Sequence, residues 1–233
     1  MKIALPTLLS FNGGYVDTAG YLALQGLFSA HVTGNFVTIA AALAFGTSGV
    51  VTKLSALPVF CAVVMFTRLG SQALPARDHA VLPAVLTLQL VLLVFAAALA
   101  VWWGPFTNGD AWTAWTTGML LVAAMAVQNA AHRIHLGATP PSAIMTGNTT
   151  QIMIDLADCI RGLPAEKRGP TLARLRQASK AIAGFAIGAA IAAFLFSMVR
   201  MWCFVVAPLV AVLASVAAKG TPLGVSSGQP AAR

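Results

Sequence analysis

The chain has 233 residues, of which 58% are hydrophobic and 9% charged, with a net charge of +8. A soluble domain carries about 25% charged residues, so a mostly aqueous surface is excluded and an integral membrane protein is expected. The positive charge does not point to nucleic acid: six basic residues (Arg161, Lys167, Arg168, Arg174, Arg176 and Lys180) crowd one stretch between apolar segments, with no basic–aromatic pattern.

Eight helical stretches are predicted, at 10–30, 35–50, 54–75, 81–103, 111–132, 145–160, 178–199 and 201–218. The first carries Ser10, Asn12, Gly13, Gly14 and Asp17. These interrupt its apolar run, so it reads as a retained helix and not a cleaved signal. Asp17 lies among small residues that let helices approach closely. It is a candidate for proton coupling or a structural partner for Arg68. The second stretch opens at Thr33, Gly34 and Asn35. The third and fourth are apolar spans, the fourth having 23 residues without a charge.

The fifth stretch carries Gln128 and Asn129 near its end, then His132, Arg133 and His135, which read as an interfacial cluster more readily than as a metal site. The sixth opens at Thr146, Gly147, Asn148 and Thr149 and contains Gln151, Asp155 and Asp158. A charge at mid-bilayer costs about 2.5–3.5 kcal/mol, so this stretch is a poor lipid-facing span. Its two carboxylates share a face, for a cation or for the interface near Arg161. The basic segment after it is expected to form a short amphipathic helix on the anionic inner leaflet. In the seventh stretch Gly184, Gly188 and Ala192 form a row for helix packing. Cys61, Cys159 and Cys203 fit neither a disulfide framework nor a metal spacing. Two of them lie in apolar runs and read as small buried hydrophobes.

The Thr-Gly-Asn copies anchor a longer match. Thr33, Gly34, Asn35, Ile39, Leu43 and Ala44 recur as Thr146, Gly147, Asn148, Ile152, Leu156 and Ala157, six identities in twelve positions. Asp17 precedes the first copy by 16 residues and Asn129 the second by 17. If all eight stretches cross, ten Lys and Arg lie inside and four outside; if the two Thr-Gly-Asn helices do not cross, the split is twelve to two. The positive-inside bias favours six crossings. Each repeat then has three spans and the second is inverted relative to the first, as in many transporters. The expected fold is all-α, with six transmembrane helices plus two shorter helices in one domain over 1–218. Its repeats run from about 10 to 104 and 111 to 218, ahead of a disordered polar tail at 219–233.

Thr and Asn suit helix capping and Gly a close turn. Two inverted helix starts would bring positive dipole ends towards the membrane centre. The other reading is that the motifs cap interfacial helices and do nothing else. Little chain separates Leu27 from Thr33, so the first copy has little reach for a deep dip, while the second, preceded by Leu136 to Ala143 with Pro140 and Pro141, has chain enough to dip further.

The stretch GYVDTAGYLALQGLFSAHVTGNFVTIAAAL resembles the opening signature of the YoaK-like family of bacterial membrane proteins, a group of unknown function. It carries Gly14, Tyr15, Val16 and Asp17, followed by Thr33, Gly34 and Asn35. GMLLVAAMAVQNAAHR is similar to that family's later span, with Gln128 and Asn129 at the matching place. The resemblance extends over essentially everything before the tail. It implies a six-span helical bundle in the bacterial cytoplasmic membrane and no particular substrate. The first copy departs from the family in having Phe36 and Val37 after its Asn, where the second has Thr149 and Thr150.

The expected function is small-solute transport or a channel. Candidate solute-site residues are Asp17, Thr33, Gly34, Asn35, Gln128, Asn129, Thr146, Gly147, Asn148 and Thr149. The alternatives are a non-transporting membrane protein or a membrane-embedded enzyme. The expected partners are the lipid bilayer and a small solute, with no nucleic acid, metal or cofactor, and with both termini cytoplasmic.

Overall fold

The computed structural model describes residues 4–73 and 78–219. Lys2, Arg77, Arg233 and the tail from 220 onward lie outside the described residues. Those described form helices and turns without a strand: α1 (Leu5–Ala23), α2 (Asn35–Phe45), α3 (Val50–Ala73), α4 (Asp78–Trp103), α5 (Trp112–His135), α6 (Met145–Arg161), α7 (Ala165–Val199) and α8 (Val206–Lys219). Short 3-10 turns precede α2 and α8. The first predicted helix ends early, at Ala23, because Gln25 and Gly26 take left-handed backbone with φ of 54° and 82°. The basic segment is not a separate helix. It forms the first half of α7, which runs unbroken for 35 residues.

Val50–Ala73, Val81–Trp103 and Ala165–Ala218 are long and apolar enough to cross a membrane. α1 and α5 are less apolar, and the reason is visible in where they sit. Both lie at the centre and bury Asn12, Asp17, Thr117 and Gln128, while α3, α4, α7 and α8 expose Phe66, Phe95, Phe194 and Leu213. Polar side chains thus face the bundle interior and apolar ones its perimeter. Cys203 is buried as expected, but Cys61 is exposed on α3.

The helix pairs come in matched sets. α1 packs on α7 and α5 on α3; α1 packs on α8 and α5 on α4; α2 packs on α3 and α6 on α7. The α1–α7 contact is the tightest. A Cβ on Gly14 would overlap the Phe185 carbonyl, and one on Gly188 the Phe11 carbonyl. Gly184 and Ala192 are buried along the same seam, so the small-residue row does pack a helix.

Contacts between α1 and α5 fix their relative direction. Leu9 and Asn12 meet Gln128, Gly20 meets Leu121, and Leu24 meets Gly118. The two helices therefore run antiparallel, and the segments following them leave from opposite ends of the bundle.

At the end where α1 stops, the chain returns to its starting level before α3. Gln25 touches Gly49 and Gly109, and its Nε2 donates to the Phe106 carbonyl at 3.2 Å. Asp110 accepts from the Gly49 and Thr52 N–H groups at 2.8 and 3.1 Å, while Thr52 Oγ1 donates to the Gly109 carbonyl at 2.6 Å. Partial burial raises the Asp110 carboxyl, but the N–H groups of Thr52, Gly49, Val51 and Val50 outweigh it and hold the group below its ordinary range.

Candidate functional site

Between these anchors residues 24–35 fold back along α1. The N–H groups of Ser29 and Ala30 each donate to Asp17 Oδ1 at 2.7 Å, and Ser29 Oγ adds a third bond at 3.3 Å. Asp17 lies seven residues before Leu24, so the loop descends about 10 Å from the end of α1. His31 Nδ1 closes on the other carboxylate oxygen, Oδ2, at 2.7 Å. The first copy was expected to dip little, yet four bonds to one carboxylate draw its loop two turns inward.

Asn35 then locks the loop. Its Oδ1 accepts from the Phe28 N–H at 2.9 Å and its Nδ2 donates to the Phe28 carbonyl at 2.8 Å. The second copy repeats half of this arrangement. Asn148 Nδ2 donates to the carbonyl of Pro141, seven residues back, at 2.9 Å. Capping of the helix by Thr or Asn was expected, but neither helix start has a side-chain cap. Each Asn sits in the first turn of its helix and turns back to hold the preceding loop instead.

The second loop is also drawn inward. Gln128 Nε2 donates to the Leu9 carbonyl at 2.9 Å and to Ser142 Oγ at 3.4 Å. Its Oε1 accepts from Gln89 at 2.7 Å and Asn12 at 3.3 Å. Closer to the end of α5, Thr139 Oγ1 meets His132 Nε2 at 3.1 Å. The two loops meet beside Gly13 and Gly14. The His31 imidazole interacts with the backbone of Ala143 as well as with Asp17, and it stands edge-on to Phe185 with centroids 5.3 Å apart. Asp17, Tyr21, Phe28, His31, Gly34 and Phe185 border a cavity of about 470 Å³ there.

The side chains of Asp17, Asn35, Gln128 and Asn148 hydrogen-bond to these two loops, and the remaining candidates do not hold them. Gly34 lies under the Phe28 ring. Asn129 bonds its own helix at Met125, so Gln128 and not Asn129 reaches the second loop. Thr33 and Thr146 are exposed, Thr149 bonds back to Met145, and Gly147 only touches Ile144. Asp17 takes its partners from its own loop and not from Arg68, which is exposed. Asp155 pairs with Arg174 through two bonds and with Gln151, while Asp158 is exposed.

Sequence reasoning missed His31, Ser29, Ser142, Asn12 and Gln89. A signal for the serines was present. Ser29–Ala30 and Ser142–Ala143 share the offset of the Thr-Gly-Asn copies, so the repeat runs Ser-Ala-x-x-Thr-Gly-Asn.

The family model described as "Protein of unknown function (DUF1275)" matches residues 5–217. The chain belongs to that family. The match takes in both loops and every described helix of the bundle. No curated protein and no solved structure matches the chain. Composition, apolar helices and family together describe a helical protein of membrane character, in a family whose activity is not assigned.

Proposed function

We propose that this protein is a small-solute transporter or channel of the bacterial cytoplasmic membrane, a YoaK-like member of its family. In this reading six helices cross and α2 and α6 are re-entrant, in two inverted three-span repeats with both termini cytoplasmic. The return of residues 24–49 to one end argues that α2 does not cross. The antiparallel α1 and α5, with their exchanged packing partners, are what inversion requires. The basic residues of α6 and α7 lie at the opposite end, and the positive-inside bias favours that opposite end as the cytoplasmic one.

One observation carries the transport reading: two irregular loops enter from opposite ends and come together on α1, the first bonded to Asp17 and the second against Gly13 one turn away. Unpaired backbone is tolerated at membrane depth only where protein or a water-lined cavity satisfies it. Such a junction is a natural gate. Displacing either loop opens a path along α1 to one side, and the Asp17–His31 pair beside the cavity can exchange a proton with the solute or with water. The accessory-protein alternative draws on Asn35, whose amide is fully used in holding backbone.

The test is a solute-uptake screen in proteoliposomes. Native protein is expected to take up at least one small polar solute, with Asp17→Asn and His31→Gln slowed tenfold or more. Uptake by neither native protein nor variants, or equal uptake by all three, overturns the reading. Cysteine labelling at Ser48 and Thr107 from outside, and at Lys167 from inside, tests the six-crossing topology separately.

A further inference from the structure

The two Asn clamps differ by one atom's partner, and the difference opens a site. In the first loop the Phe28 N–H satisfies Asn35 Oδ1. The second loop has proline at the equivalent position, and Pro141 has no N–H to give. Asn148 must point its Nδ2 at the Pro141 carbonyl, which turns its Oδ1 the other way, with no partner among the described residues. Asn148 is only 5% exposed, and it lines a cavity of about 560 Å³ together with Thr139, Gln151, Arg174 and Gln177. With the rest of the residue buried, this oxygen is an acceptor presented to the cavity, where a ligand carrying a donor can meet it.

The opposite wall supplies the complementary charge. Arg174 uses Nε and Nη2 on Asp155, which fixes the guanidinium plane and leaves Nη1 with no partner among the described residues. Gln151 is anchored to the same carboxylate through Nε2, leaving its Oε1 as a second acceptor. The volume falls within the range of small-molecule sites.

We propose that this cavity binds a small carboxylate that also carries an N–H or O–H donor, such as an amino acid or a hydroxy acid. The carboxylate faces Arg174 and the donor faces Asn148 Oδ1. The proposal rests on the transport reading only for the ligand's fate, since binding itself requires no transport.

The experiment measures equilibrium binding of glycine, glycolate and acetate to the full chain in nanodiscs, by calorimetry or by ligand-induced shift in unfolding temperature. Glycine or glycolate is expected to bind about tenfold more tightly than acetate, because only acetate leaves Asn148 Oδ1 unpaired. Pro141→Ala restores an N–H opposite Asn148, copying the bond already formed in the first loop. It is expected to fold with an unchanged or higher unfolding temperature and to bring glycine or glycolate down to the level of acetate. Arg174→Gln is expected to weaken all three while keeping their order. No saturable binding of any of the three, or Pro141→Ala binding like the native chain, overturns the site. Binding as expected without exchange in loaded vesicles leaves the site standing and removes the transport reading. Uptake with no effect of Pro141→Ala on binding does the reverse.

Discussion

The two Thr-Gly-Asn loops share a hinge but not a lining. The first is held by a carboxylate: Asp17 takes two backbone N–H groups, a hydroxyl and an imidazole, and Asn35 is used at both amide atoms. The second is held by the neutral Gln128, which divides its bonds among Leu9, Asn12, Gln89 and Ser142, and Asn148 is used at one amide atom. The cavity beside Asn35 is about 190 Å³ and mostly apolar in its lining; the one beside Asn148 is about three times that volume and lined with amides and a guanidinium. A duplicated loop can thus keep its backbone clamp while the space beside the clamping Asn changes in size and lining. A single proline sets the two Asn clamps apart.

Removing each anchor is the strongest way to break the comparison. Asp17→Ala strands two buried N–H groups and His31, and is expected to cost about 3–5 kcal/mol, as for other broken buried pairs. Gln128→Ala removes neutral bonds only and is expected to cost about 1–3 kcal/mol. Thermal unfolding in detergent measures both, and a larger loss for Gln128→Ala would contradict the assignment of the carboxylate as the stronger anchor.

Phe28→Pro sharpens the comparison by making the first loop resemble the second. It deletes the N–H bonded to Asn35 Oδ1 and is expected to destabilise by about 1–2 kcal/mol. Hydrogen exchange should rise across residues 27–35 and stay unchanged across 140–148.

A smaller effect is expected from pH on the α6–α7 hairpin. The Arg174 hydrogen bond, working against burial and helped by Gln151, holds the Asp155 carboxyl below its ordinary range. A depressed folded value means that the stabilisation is complete above the unfolded value, near pH 4. It fades as pH falls through the folded one. Exchange rates in residues 145–178, corrected for intrinsic pH dependence, should therefore increase below about pH 4. Asp155→Asn should abolish that dependence. Smallest of all, Thr33→Val and Thr146→Val are expected to change stability by less than about 0.5 kcal/mol, because neither residue caps its helix.

Much of the fold was legible because apolar periodicity and length are local properties. The eight helical stretches, the Gly184–Gly188–Ala192 seam and the paired motif were all read from neighbouring residues. The buried amide network was not, since Asn12, Gln89 and Gln128 stand 116 and 39 residues apart and no spacing rule links them. The depth of the first loop was underestimated for a related reason. Counting residues from Leu27 to Thr33 measures reach, whereas the bonds to Asp17 decide where the reach is directed. The site candidates were legible as a motif but not as roles. Asn35 and Asn148 share their letter and their spacing, and only the presence of an N–H seven residues back separates them.

The unbroken α7 has a mechanical consequence. At 1.5 Å per residue its 35 residues measure about 52 Å, against a hydrocarbon core of about 30 Å. Because Gly184 and Gly188 grip α1, the helix behaves as a pivoted rod whose long arm carries the positive charge and, through the Asp155–Arg174 pair, α6 with it. The arm from the grip to Ala165 is about 30 Å long, so a tilt of about 5° becomes a displacement of about 3 Å at the tip, and a fluorophore near Gly162 would serve as a gauge of how the buried seam rocks.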